Sequence, residues 1–159
     1  MVAQPVADDA RELLQADRLG HEAVHARLQA ALDVALQRGA GPEVTTLATA
    51  VKAAQGPEIA QMHAWLTTWG ASHSMDHGDM HAGMPGMMTD AQMTDLRNSS
   101  GEVFDRTWLE MMIVHHEGAI SMAKGVLPTT SDAEVRKLAE AVVAGQTAEI
   151  AEMKGHVID

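Results

Sequence analysis

At 159 residues the chain is sized for one domain, 1–159, long enough to bury roughly 70% of the surface its unfolded form exposes. A formal net charge of −11 speaks against nucleic acid and anionic membranes, and no run of about 18 apolar residues marks a membrane span. Cysteine is absent while methionine numbers 12 and histidine 9, which excludes disulfides and thiolate metal sites. Thioether and imidazole are the soft ligands that remain, and they outlast thiols where oxidants are present. That favours a periplasmic or secreted setting. The opening MVAQPVADDA has neither a basic n-region nor an apolar h-region, so no signal peptide is expected in it.

Residues 8–38 are rich in Ala, Leu, Gln and Arg, with Leu14, Leu28, Leu32 and Leu36 among the apolar positions, and read as a first helix. Gly39-Ala40-Gly41 stops it, and Pro42 stands where a first helical residue belongs. The second helix extends to about Trp69, with a kink expected at Gly56-Pro57 because Pro57 cannot donate to the carbonyl of Ala53. Residues 70–89, GASHSMDHGDMHAGMPGMMT, lack apolar periodicity and read as a loop. Thr89 with Gln92 forms a capping-box pattern that starts a short helix through Leu96, and Asn98-Ser99-Ser100-Gly101 breaks it. A long helix is then expected from Phe104 to Leu127, ended by Pro128. Ser131 with Glu134 forms a second capping-box pattern, opening a last helix to about His156.

The chain repeats itself. A shift of 91 residues lays PEVTTLATAVKAAQGPEIAQM over AEVRKLAEAVVAGQTAEIAEM, with twelve of the twenty positions from Glu43 to Met62 identical to their partners. The same shift places His25 over His116. Two duplicated helical hairpins, 8–69 and 90–157, joined by the long Met/His-rich crossover loop, imply an all-α, ferritin-like four-helix bundle.

In the long helix, Phe104, Trp108, Met111, His115, Ala119 and Met122 share one face at intervals of three or four, with Glu110, Glu117, Ser121 and Lys124 opposite. His116 points about 100° from His115, nearer the edge of the apolar arc beside Met112. In the last helix Val135, Leu138, Val142, Gln146, Glu149, Met153 and His156 follow the same spacing. Gln55 and Glu58 interrupt the apolar stripe of the first copy at the corresponding places. Buried carboxylates require partners or a metal. Glu58 and Glu149 therefore either build a structural network across the bundle centre or take part in metal binding.

Core methionine is ordinarily a gap-filler and a lone inward histidine ordinarily a satisfied core group. Met111, His115 and Met122 on one face, with Met153 and His156 on the neighbouring helix, together form a set suited to Cu(I) or Ag(I). The loop offers a second set, His73, Met75, His77, Met80, His81, Met84, Met87 and Met88. Polar linkers draw on Ser, Glu, Lys and Gly, and exposed thioethers invite oxidation, so metal capture explains this composition better than a plain linker does. Its imidazoles would also admit Cu(II), Zn(II) or Ni(II). A di-iron centre requires two Glu-x-x-His motifs. Glu22-Ala-Val-His25 supplies one, but Ile113 stands where the second needs a carboxylate.

The residues MMTDAQMTDLRNSSGEVFDRTWLEMMIVHHEGAISMAKGVL, with EIAEM from Glu149 to Met153, resemble the bacterial family known as domain of unknown function three hundred and five. Its M-x-x-x-H-H-x-x-A-x-x-M-A core is matched at Met111, His115, His116, Ala119, Met122 and Ala123. The resemblance implies a ferritin-like helical bundle, secreted or periplasmic, linked with copper resistance. The first hairpin departs from the family pattern, with Gly20, His21, Val24, His25 and Ala31 at the equivalent places. The expectation is a non-enzymatic protein that sequesters or transfers Cu(I), with Cu(II) or Ag(I) as the other candidates and a copper chaperone or efflux component as partner. A di-iron oxidase and a metal-free interaction bundle are the alternatives.

Overall fold

The structure, a computed structural model, describes residues 26–38, 41–68 and 86–157, the side chain of Leu66 excepted. Expectations for residues 1–25, including His21 and His25, lie outside the described residues. So do those for His73, Met75, His77, Met80, His81 and Met84. The described residues are all-helical, with no strand among them. We number the helices α1 (described over 26–37), α2 (Pro42–Thr68), α3 (Asp90–Asn98), α4 (Gly101–Val126) and α5 (Ala133–Val157).

Local chemistry sets the helix ends. Pro42 opens α2 where no N–H is needed, and the preceding Gly41 N–H donates to both carboxylate oxygens of Asp105 at 3.1 Å, fixing the start of α2 against α4. α2 continues through Gly56-Pro57 to Thr68 as one helix. At α3 the expected capping box is present: the Gln92 N–H donates to Thr89 Oγ1 at 3.1 Å, and the Thr89 N–H donates to Gln92 Oε1 at 2.8 Å. α4 begins at Gly101 (φ +58°), three residues before the Phe104 expected. The cap of α5 corrects the sequence reading. Asp132, not Ser131, receives the N–H groups of Glu134 (2.8 Å) and Val135 (3.1 Å), because its carboxylate caps as well as serine and also complements the helix dipole.

The core draws on every helix. Leu28 and Leu32 of α1, Leu47 and Val51 of α2, Met93 and Leu96 of α3, Phe104 and Met112 of α4, and Ile150 and Met153 of α5 form one buried cluster. Trp108, fully buried in α4, donates its indole N–H to the Ala31 carbonyl at 3.1 Å and so ties α4 to α1. The turn at 127–129 folds α5 back on α4, its most extensive neighbour. Exposed pairs Lys52–Asp33 (2.9 Å) and Lys154–Glu117 (3.2 Å) link α2 to α1 and α5 to α4, each contributing about 0–1 kcal/mol.

Met88 corrects a second expectation. It was expected as a loop thioether, but it is 3% exposed and packs in the core cluster. Arg27 of α1 bonds its carbonyl and pairs with Asp90 at the start of α3, so chain entering α3 is already seated on the bundle.

Candidate metal centre

The core face of α4 carries the chemistry. His115 and His116 are both buried, their rings edge to face with centroids 5.9 Å apart. His115 Nδ1 donates to the Gly86 carbonyl at 3.1 Å, a tautomer that puts the lone pair on Nε2. Gly86 has φ +79°, and a Cβ there would lie 2.8 Å from the His115 carbonyl oxygen and 2.9 Å from Gly118 Cα. Only glycine lets the chain approach α4 this closely and present its carbonyl to the imidazole.

His116 differs from the sequence expectation. It has no exposed surface, although it was placed near the edge of the apolar arc. Its Nδ1 donates to the Met112 carbonyl at 2.8 Å, one turn back, and its Nε2 stands 2.7 Å from Glu149 Oε2 of α5. Both ring nitrogens are thus engaged, and one proton lies between Nε2 and Oε2 whichever partner holds it. His116 and Glu149 lock α4 to α5, and coordination through Nε2 would break that lock.

A cavity of 140 Å³ opens between α2, α4 and α5, with Leu28 of α1 also in its wall. His115 and Met122 line it from α4, Gln55, Glu58 and Met62 from α2, and Gln146 from α5. Of the expected Met111–His115–Met122 face, the last two meet at this cavity, while Met111 packs in the apolar cluster. Met62 joins them, a position the sequence reading did not take as a ligand. The signal was there, since Met62 is the repeat partner of Met153. Met153 itself is fully buried in the core. His156 is exposed, not on the inner stripe, because Val157, four residues after Met153, takes the inward place. Met87 is half-buried beside Gly86 in sequence.

Glu58 and Glu149, equivalent in the repeat, are near enough for the charge of one to act on the other. Burial first, and then the negative charge of Glu149, hold the Glu58 pKa above the ordinary carboxylate range. The folded protein then binds a proton at Glu58 more readily than the unfolded chain. The associated stability is complete below the ordinary value, near pH ~4.3, and is lost as pH rises through the raised one. Glu58→Gln is therefore expected to melt above the parent protein at pH 7, with the difference shrinking towards pH 4, as thermal denaturation at both pH values would show.

Among the described residues no group of three or more His, Asp and Glu side chains is assembled to hold a metal ion. A carboxylate-rich centre of the di-iron kind does not form among them. His115, Met122 and Met62 all line the cavity, and imidazole and thioether are donor types that suit a soft monovalent ion.

Among solved structures, a DUF305 fragment from Deinococcus radiodurans is similar, with a TM-score of 0.79 and 29% identity, covering 92% of this chain and 94% of that one. A DUF305 protein from Streptomyces coelicolor, provisionally named as secreted, gives 0.70 and 30%, covering 82% and 85%. CopM in its Cu(II)-bound form gives 0.68 and 30%, covering 82% and 87%. Its Cu(I)-bound form gives 0.66 and 26%, covering 91% of each chain. No curated protein matches the chain. The profile of the Domain of unknown function (DUF305) matches residues 23–157, and with an all-helical fold shared with two DUF305 structures, the chain belongs to the DUF305 family.

Proposed function

We propose that the protein is an extracytoplasmic copper-binding protein that sequesters or hands over Cu(I), with Ag(I) as a close substitute, rather than an enzyme. The observation that supports this most is its likeness to CopM, whose structures hold Cu(II), Cu(I) and silver, at 26–30% identity. His115, Met122 and Met62 around one cavity supply donors that fit such an ion. In this reading the helices form a ferritin-like bundle of two duplicated hairpins. His73, Met75, His77, Met80, His81 and Met84 of the crossover capture ions that His115 and Met122 hold more firmly. A periplasmic or secreted location accords with the provisional naming of the Streptomyces coelicolor relative, and no described helix is long and apolar enough to cross a membrane. A copper chaperone or efflux component is the proposed exchange partner.

The test is an anaerobic Cu(I) titration against a competing chelator, at pH 7 and pH 5. Thioethers do not titrate, whereas imidazoles protonate near pH ~6.5. Part of the Cu(I) binding is expected to survive at pH 5 while Cu(II) and Zn(II) binding is largely lost. His115→Ala and Met122→Leu are each expected to weaken the tightest Cu(I) site about tenfold or more, roughly 1.4 kcal/mol. Deleting residues 73–84, which spares Gly86 and the buried Met88, is expected to lower the number of ions bound but not the tightest affinity. Equal loss of all three metals at pH 5 would rule out thioether ligation.

A further inference from the structure

The cavity between α2, α4 and α5 has a second chemistry that a soft metal ion does not use. Gln55 and Gln146, related by the internal repeat, both line it, and they are 5% and 7% exposed. Gln55 Nε2, a donor, and Gln146 Oε1, an acceptor, are buried with no hydrogen-bond partner among the described residues. A buried polar atom left unsatisfied costs about 1–3 kcal/mol. Here the same cost occurs twice, at equivalent positions lining one space. The remaining wall is mostly apolar, with Ile59 of α2, Val126 of α4 and Leu138 and Val142 of α5 among its residues.

We infer that this cavity binds a small neutral molecule with an apolar body, one hydrogen-bond acceptor for Gln55 and one donor for Gln146, of about the size of phenol. The volume fits, since 140 Å³ is close to the ~150 Å³ of an engineered apolar cavity that takes up benzene. Water fits less well. Each buried water needs roughly two to four polar partners, and a cluster filling this space would face largely aliphatic walls. A molecule with one polar end satisfies both glutamines and covers the aliphatic surface at once. The inference is independent of copper, because carboxamides are poor donors to a soft ion and neither glutamine belongs to the proposed ligand set.

Titration of the metal-free 159-residue chain, labelled with carbon-13 at the methionine methyls, tests it with phenol, benzene and benzoate as probes. Met62 and Met122 line the cavity, whereas Met93 is buried in α3 away from it, so three signals separate specific from general effects. Phenol is expected to shift the Met62 and Met122 methyls saturably and leave Met93 still, binding about tenfold tighter than benzene, with benzoate weaker than both. Gln55→Leu and Gln146→Leu keep the shape of the wall and are expected to erase the preference for phenol over benzene. Absence of saturable shifts at millimolar phenol would leave the cavity to water and overturn the inference. Equal affinity for phenol and benzene in the parent protein would overturn it without reference to any variant.

Discussion

Replacing His116 by alanine is expected to destabilise the metal-free protein by about 3 kcal/mol or more, at the lower end of the 3–5 kcal/mol typical for breaking a buried pair. For a chain of this length that corresponds to a fall in Tm of roughly 6–12 °C. The imidazole is fully enclosed, and its two nitrogens hold the Met112 carbonyl at 2.8 Å and the Glu149 carboxylate at 2.7 Å. Truncation removes both contacts, opens a void between α4 and α5, and leaves Glu149 without its partner. The Glu149 side chain keeps 19% of its surface exposed, so water relieves part of the cost, which is why the lower end of the range applies. His116→Gln restores a donor near Glu149 and is expected to recover part of the loss. A double-mutant cycle with Glu149→Gln should return a coupling of about 1–3 kcal/mol. Circular dichroism melts in the presence of a chelator would settle it. A change in Tm under about 2 °C for His116→Ala would mean that the pair does not hold the hairpin together.

The two adjacent histidines thus divide the work. His116 is committed to the frame through both nitrogens, and His115, beside it, faces the cavity with Nδ1 bound to the Gly86 carbonyl. In the proposed copper reading, His116→Ala weakens metal binding only through lost stability. His115→Ala weakens it directly, by more than the stability lost with the buried imidazole and its bond to the Gly86 carbonyl accounts for. Comparing the two variants in both assays separates a ligand from a support.

Much of this arrangement is legible in the sequence, and the parts that are not have identifiable causes. Helical spacing and the repeat together located Gln55 with Gln146 and Glu58 with Glu149 on inward stripes, and the structure buries both glutamines and sets Glu149 near enough for its charge to act on Glu58. The capping box at Thr89 was readable because its two hydrogen bonds are local. His116 was misplaced because residues about 100° apart both fit a broad apolar arc, and only α5, supplying Glu149, decides which one is deepest. Met88 escaped for a similar reason. A methionine among loop residues carries no periodicity, and its place in the core depends on Arg27 and Asp90 anchoring the chain around it. At the end of α5 a spacing of three and a spacing of four competed, and packing chose Val157 over His156.

Gly86→Ala is the smallest substitution with a large expected consequence, a destabilisation of roughly 2–5 kcal/mol. A φ of +79° alone costs an L-residue about 1–2 kcal/mol. The added methyl would also sit 2.8 Å from the His115 carbonyl, 2.9 Å from Gly118 Cα and 3.0 Å from the Val114 carbonyl, all atoms of the α4 backbone that cannot rotate away. The segment before Met88 must therefore lift from α4, and the bond from His115 Nδ1 to the Gly86 carbonyl is lost with it. The imidazole then loses the group that fixes its tautomer and ring orientation, and losing such a hydrogen-bond partner behind a metal ligand weakens metal binding roughly ten- to a hundredfold. Two readouts follow from one cause, a lower Tm without metal and weaker Cu(I) binding with it. If the variant melted normally yet bound Cu(I) weakly, Gly86 would act through His115 orientation alone. If it melted low but bound Cu(I) with parental affinity once folded, the carbonyl of Gly86 would have no part in presenting His115 to a metal.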